Sequence, residues 1–384
     1  MKIRKIMCGL LACAMLPLVA FSGCSGQNTE QSSQPNESIA QAESSQPSKE
    51  PSESSQPKES SVDESSESSS SESSKSTEKI TPAVWKVADE DGNYIYMMGS
   101  IHAADEAVDN MPDYFENAFE ECNALAVEAD ISTASTDMAQ AIEVAKSLMY
   151  TDGTTIEDHI SADTYKAAVN LLKSYNMYTE LYDYYMPIMW TSLIDNIIMS
   201  QIGLDANYGV DMVLINRAKE ENKKVLEVES VEFQLELMMN FSDELQELML
   251  ESYVADGALD EQIESLNDLY DKWKKGKITE EDAIDEVDES MTDEEKALLE
   301  EYNKAMLYDR NEGMANKAEK YMQSGNTVMF VVGAAHFQGD KGILKLMEDK
   351  GCTVTQLTSS DVSDTSTGEN TENENSEENY QVAA

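Results

Sequence analysis

Long polar stretches alternate with dense apolar runs along the chain. From Ser25 to Lys79 almost every residue is Ser, Glu, Gln, Pro or Lys. Such a segment cannot bury enough apolar surface to offset the entropy of ordering, so it predicts a disordered tether. The polar, acidic stretch from Thr358 to Ala384 predicts a second one. Between them, Thr81 to Leu357 carries periodic apolar patterning and is long enough to bury a sizeable core as one unit.

Within that unit "AVWKVAD" and "YIYMMG" read as strands, and the turn-rich "EDGN" between them predicts a hairpin. "MPDYFENAFEEC" predicts a helix with Pro112 near its start, and "NALAVEAD" a short buried strand. From Ala134 to Gln201 apolar residues recur at three and four, which predicts mostly helix. The most apolar of these helices is "PIMWTSLIDNIIMSQI". At sixteen residues it would span only about 24 Å and it carries Asp195, so it belongs in a core, with its Met and Trp stripe as packing.

"GVDMVLINRAKEEN" follows as a helix and "KKVLEVES" as a strand; Val231 to Ser324 then reads as acidic and almost wholly helical. "DKWKKGKITEED" has the outline of a calcium loop at Asp271, Gly276, Ile278 and Asp282. Trp273 and Lys275 fill its third and fifth positions and cannot ligate calcium, so a helix–turn–helix corner is expected. The strand "TVMFVVG", a helix around "GDKGILKLMEDKG" and the strand "CTVTQL" close the unit. Strand–helix alternation at both ends of a helical middle predicts an α/β domain: a small core sheet carrying a large helical insertion.

The opening "MKIRKIMCGLLACAMLPLVAFSGCSGQ" has basic residues, an apolar core and then small residues with a cysteine, the layout of a secretory signal over 1–23. "FSGC" is similar to a bacterial lipobox, with Cys24 as the lipidated residue, and a diacylated cysteine supplies the two chains that stable anchoring needs. The expected organisation is a signal over 1–23, lipidated Cys24 and linker over 24–80, a folded domain over 81–357 and a tail over 358–384. That places the domain on the extracellular face of a bacterial membrane, touching the bilayer only through the lipid anchor.

Net charge is −48, most of it on the folded segment, which excludes nucleic acid as a partner. Cys122 and Cys352 are the cysteines left in that segment, without a CxxC or a cysteine-rich metal pattern, and are expected as free thiols. The chain also lacks HExxH, GxSxG, P-loop and GxGxxG motifs.

Candidate chemistry gathers at strand ends. "YIYMMGSIH" and "VMFVVGAAH" each run from an apolar strand through Gly-x-x-His, and they hold two of the three histidines, His102 and His336. In each, the glycine is expected to end the strand and turn the backbone sharply. "ALAVE" delivers Glu128 and "KVLEVE" delivers Glu229. Ligands of open α/β sheets bind outside the carboxyl ends of the strands, so parallel strands would bring two imidazoles and two carboxylates together there. Both glutamates follow buried aliphatic runs, where an unpaired charge is expensive. The third histidine, His159 in "TIEDHISAD", reads as a solvated surface residue.

Five segments together, "VWKVADEDGNYIYMMGSIHAADE", "LAVEAD", "IGLDANYGVDMVLINRAKEENKKVLEVESVEFQ", "LYDRNEGMANKAEKYM" and "VMFVVGAAHFQGDKGILKLMEDKGCTV", resemble the TraB/GumN family. That family is related to the animal Tiki proteins, which are described as membrane-tethered metalloproteases. The resemblance implies a Tiki-like α/β fold with both Gly-x-x-His motifs and acidic residues in one site. It implies His102, His336 and Glu128 as metal ligands, and places the second acidic position at Glu229, with Glu227 as the alternative. It adds Arg310 and Asn311 from "DRN", and Asp211 from "GVD", which also reads as a residue stabilised by a helix N-terminus.

The expected function is that of a cell-surface lipoprotein acting as a metal-dependent hydrolase on extracellular peptides. His102, His336 and Glu128 would hold Mn²⁺, Co²⁺ or Zn²⁺, and a mixed nitrogen and oxygen donor set does not choose among them. Glu128 or Glu229 would act as general base, and Arg310 would either stabilise an oxyanion or form an ion pair. The same residues would permit a metal-free acid–base pair. The alternative is a non-catalytic lipoprotein that binds or sequesters peptides.

Overall fold

Two uninterrupted apolar runs form the centre of a six-stranded sheet in the computed structural model, which describes residues 79–132, 138–284 and 291–360. The strands are β1 (Val84–Ala88), β2 (Tyr94–Ser100), β3 (Ala124–Val127), β4 (Lys224–Glu227), β5 (Val328–Gly333) and β6 (Thr353–Gln356), in the order β4-β3-β5-β2-β1-β6. Every residue of β3 and β5 is buried, as strands covered on both faces require. β4 and β6, at the sheet's two edges, are half-exposed.

β2, β5, β3 and β4 pair in parallel, whereas β1 runs antiparallel to β2 and to β6. The expected β1–β2 hairpin is therefore present, and four strands share one carboxyl edge.

Side chains alternate across the sheet, as the pleat dictates. One face presents Met98, Leu125, Met329 and Val331 to a core completed by Trp190, Ile194 and Leu214. The other presents Met97, Ala126, Phe330 and Val332 to Met314, Ala315, Ala318 and Met347. A further core is purely helical, built around Met189, Leu235, Met249, Leu299 and Tyr302. The protein is thus a mixed α/β fold, mostly helical outside its sheet.

The helical material forms two blocks where one insertion was expected. The first lies between β3 and β4 and includes helices Ala162–Ser174, Pro187–Ile202 and Val210–Glu220. The second lies between β4 and β5 and includes Val231–Met239, Asp243–Val254, Ala258–Lys274 and Asp309–Met322. β4 divides them because its short apolar run can pair with β3 only after a crossover, which helix Val210–Glu220 supplies. In helix Pro187–Ile202, Trp190 is fully buried and its Nε1 donates to the Tyr182 carbonyl at 3.1 Å, as a core helix predicts. Among the described residues no helix is long and apolar enough to cross a membrane. The corner at "DKWKKGKITEED" is a helix end at Lys274, a turn and a short helix Glu280–Ala283.

The first Gly-x-x-His glycine has a different purpose from the sharp turn expected of it. Gly99 lies within β2 and its φ is not positive. A Cβ placed on it would sit 2.7 Å from Ala334 Cα, so glycine is needed because the two strand ends approach that closely. Gly333, the last residue of β5, also has a negative φ of −48°.

The signal over 1–23, Cys24 and the linker through 78 lie outside the described residues, as does the tail from 361. Described Cys122 is a buried free thiol and Cys352 a partly buried one.

Candidate functional site

The parallel register sets the site. β2, β5, β3 and β4 end side by side, and His102, His336, Glu128 and Glu229 follow those ends in that order. The β3–β4 ladder continues past the strands through Val228 N to Val127 O at 2.9 Å and Glu229 N to Glu128 O at 2.8 Å. The side-chain contacts distinguish the two glutamates of this segment. Glu229 shares Arg310 and Gln234 with Glu128, while exposed Glu227 accepts from the Asp130 amide at 3.0 Å.

Arg310 ties the two carboxylates together. Its Nη2 donates to Glu128 Oε1 and, at 2.8 Å, to Glu229 Oε2; its Nε lies 3.1 Å from both Glu229 oxygens; its Nη1 donates to the Met306 carbonyl at 3.0 Å. Glu128 also accepts from Gln234 Nε2 at 2.8 Å and from the Gly333 amide at 3.0 Å. Burial alone would raise the Glu128 carboxyl, but the Arg310 charge outweighs it and holds that carboxyl down at about 2. Arg310 lies two residues after a π-helical turn, Lys304–Tyr308, a local widening that often accompanies functional positions. Arg310 thus forms an ion pair that reaches across the sheet edge.

Each imidazole has one nitrogen engaged. His102 Nδ1 lies 2.7 Å from Asp211 Oδ2 as a close ionic contact that is not aligned as a hydrogen bond. Burial would lower the His102 ring, but Asp211 outweighs burial and raises it. Asp211 arrives there because the first turn of helix Val210–Glu220 abuts the His102 loop, with Val210 N donating to Ile101 O at 2.9 Å. A Cβ on Gly209 would lie 2.3 Å from the His102 carbonyl oxygen, so only glycine permits this docking.

His336 sits in a short 3₁₀ turn after β5, and its Nδ1 lies 2.6 Å from Asn311 Oδ1. Asn311 Nδ2 donates to the Lys341 carbonyl at 2.9 Å, which leaves Oδ1 as the acceptor and Nδ1 of His336 as the donor. His336 Nε2 is then the lone-pair nitrogen, 4.0 Å from Glu128 Oε2. Burial and the Arg310 charge lower the His336 ring to about 3, so it stays neutral.

The donors suit a borderline divalent ion. His336 Nδ1 is hydrogen-bonded to an acceptor, which orients metal-ligating histidines, and His102 Nδ1 lies against the Asp211 carboxylate. His102 Nε2 is buried with no hydrogen-bond partner among the described residues. Among those residues, no three His, Cys, Asp or Glu side chains stand grouped as an ion site by themselves, and Glu128 is engaged by Arg310.

The segment that carries these residues is similar to known proteins. A model of the TraB/PrgY/gumN family matches residues 83–356. The chain belongs to that family. It is 25% identical over 151 residues to the uncharacterized protein YbaP of Escherichia coli K12, covering 39% of this chain and 53% of that protein. The Shigella flexneri YbaP is 26% identical over 149 residues, covering 38% and 53% respectively. The chain therefore spans about half the length of these curated relatives. No solved structure matches it.

Sequence reasoning passed over Gln234, whose amide bridges Glu128 and Glu229 at 2.8 and 3.2 Å. Its signal was weak: a glutamine one helical turn after "EVES". His159 departs from the solvated residue expected. It stacks on Tyr150 with ring centroids 4.1 Å apart, and its Nδ1 and Nε2 lie 3.0 Å from Asp243 Oδ2 and 2.7 Å from Thr154 Oγ1. Tyr150, Thr154 and Asp243, the last from a helix 84 residues onward, thus hold the ring in place.

Proposed function

We propose that the family domain is a metal-assisted hydrolase acting on peptides, displayed outside the cell through lipidated Cys24. The observation that carries this reading is the matched pair of imidazoles, His102 held by Asp211 and His336 by Asn311, each presenting Nε2 at one sheet edge. His102 and His336 would hold Mn²⁺, Co²⁺ or Zn²⁺, with Glu128 beside them. A bound ion of this type supplies Lewis acidity toward a carbonyl and acidifies water.

The protein's own groups then divide the remaining work. Glu128, held at about 2 and bonded to Arg310, Gln234 and the Gly333 amide, is a poor proton acceptor and serves to position Arg310. Glu229 is the more exposed of the two carboxylates, at 10% against 3%, and takes the proton from water. Arg310 offsets the negative charge that the two glutamates bring to the edge.

The decisive experiment compares the wild type with a His102→Ala/His336→Ala double variant, both loaded with Mn²⁺ or Co²⁺. Metal content by mass spectrometry and cleavage of candidate peptides should both fall to background. A double variant that retains its metal and still cleaves peptide defeats the proposal.

A second reading has its own support. The close His102–Asp211 contact also suits a metal-free acid–base pair, for which peptide turnover would survive exhaustive chelation. Saturable peptide binding without any product would instead favour a sequestering protein.

A further inference from the structure

A cavity of about 270 Å³ opens at the same sheet edge, on the β1–β6 side of the two histidine loops. Its wall is shared with those loops: Gly99, three residues before His102, and Ala334, two before His336, both line it. Trp85 from β1 and Trp273 from the end of helix Ala258–Lys274 supply the aromatic surfaces, and Ile278 and Leu344 the aliphatic ones. Both indoles are fixed. Trp85 stacks on Phe337 with centroids 5.3 Å apart, and Trp273 Nε1 donates to the Gly99 carbonyl at 2.9 Å.

The polar side chains on the wall are Gln338 and Gln356, and among the described residues no charged side chain lines it. That is unusual on a protein of net charge −48. Its volume lies below the roughly 300–1,000 Å³ of sites for drug-sized ligands and cofactors. It is large enough for one bulky side chain. An uncharged, aromatic-walled recess with two amides selects a neutral apolar or aromatic group against a carboxylate, because nothing in the wall would compensate a desolvated charge.

We propose that this cavity is the specificity subsite of the peptidase reading, accepting one large neutral side chain, aromatic in preference, from a peptide lying across the β2 and β5 ends. The proposal rests on that reading for its substrate class, but the cavity's selectivity stands on binding alone. Rigid tryptophans on the β1 and helix side orient the side chain, and the shared Gly99–Ala334 wall brings the adjoining peptide backbone toward His102 and His336.

The test uses the full chain and two probes, acetylated Ala-Ala-Phe-Ala-Ala amide and its Ala-Ala-Gly-Ala-Ala counterpart. The protein contains three tryptophans, Trp85, Trp190 and Trp273, and two of them line the cavity, so intrinsic fluorescence reports occupancy. The Phe peptide should bind at least tenfold more tightly than the Gly peptide. Filling the cavity with Ala83→Phe or Leu344→Phe should erase that difference without changing the far-UV circular dichroism. Equal affinity for the two peptides in the wild type overturns the proposal, even if both filled variants misfold. So does selectivity that survives filling in a folded variant.

Product analysis separates the two ideas. Selective binding without cleavage at any metal loading leaves the subsite standing and removes the hydrolase. Cleavage without preference for Phe does the reverse.

Discussion

His336 Nδ1 donates to Asn311 Oδ1 at 2.6 Å, and this one contact decides which nitrogen of the ring faces the sheet edge. Arg310 and Asn311 are consecutive on one helix, yet they serve different partners: one clamps two carboxylates and the other sets a tautomer.

Asn311→Ala removes the acceptor and leaves the His336 tautomer unspecified. Affinity for Mn²⁺ or Co²⁺, measured by calorimetry, should fall about ten- to a hundredfold, as loss of such an orienting partner usually causes. Asn311→Asp keeps an acceptor and should retain more of the affinity. Identical affinities in all three proteins would count against a metal role for His336.

Arg310→Met leaves Glu128 and Glu229 as adjacent carboxylates without their cation. Urea denaturation at pH 7 should show a loss of about 3–5 kcal/mol, the usual cost of breaking a buried ion pair from one side. Arg310→Lys should restore only part of it, because an ammonium cannot reproduce the forked contacts to both carboxylates.

Acid should destabilise the site through two groups acting in one direction. Glu128 is depressed from 4.5 to about 2, so its contribution is present above pH 4.5 and is lost as pH falls toward 2. His336 is depressed from 6.5 to about 3, so the folded state resists protonation and stability falls between pH 6.5 and 3. The contribution of these two groups to Tm should therefore fall toward acid from near pH 6.5, read as the difference between the wild type and variants of each group. In His336→Gln the upper part of that fall should flatten; an unchanged fall would refute the assignment.

Asp195 behaves in the opposite sense. Its carboxyl is buried in helix Pro187–Ile202, and burial raises it from 3.8 to about 7, partly offset by the Tyr253 hydroxyl. The folded state favours the protonated acid, so its contribution is complete below pH 3.8 and is lost as pH rises through 7. Asp195→Asn should stabilise the protein at pH 8, by on the order of 2–4 kcal/mol, and change little at pH 4. Equal shifts at both pH values would show that ionisation is not involved.

Gly99→Ala should separate the two histidine loops. The added Cβ would lie 2.7 Å from the Ala334 backbone, a clash that side-chain rotation cannot relieve. A stability loss of about 1–3 kcal/mol is expected from thermal denaturation. Metal retention by the surviving folded protein should fall as well, since His102 and His336 follow the displaced strand ends. Full retention would show that their spacing is not critical.

Much of this was legible in the amino-acid order. Apolar runs marked β2, β3 and β5, because strands covered on both faces need nearly continuous hydrophobicity. His102, His336, Glu128 and Glu229 could be placed at strand ends for the same reason. β4 was legible as the strand "KKVLEVES" between two helical stretches, but a short, half-exposed run gave no sign that it would be the sheet edge beside β3. The reason for Gly99 was also hidden, since a close approach by Ala334 involves a residue more than 200 positions away.

What the sequence determined by itself was the set of elements and the residue types at their ends, which follow from local periodicity and turn chemistry. Tertiary structure decided the rest. Parallel pairing put four strand ends on one edge, and the packing of helix Asp309–Met322 brought Arg310 between Glu128 and Glu229, 182 and 81 residues away, with Glu227 bonded elsewhere. Those outcomes depend on register and crossover packing, which couple residues across the whole chain and leave no mark in any single stretch of it.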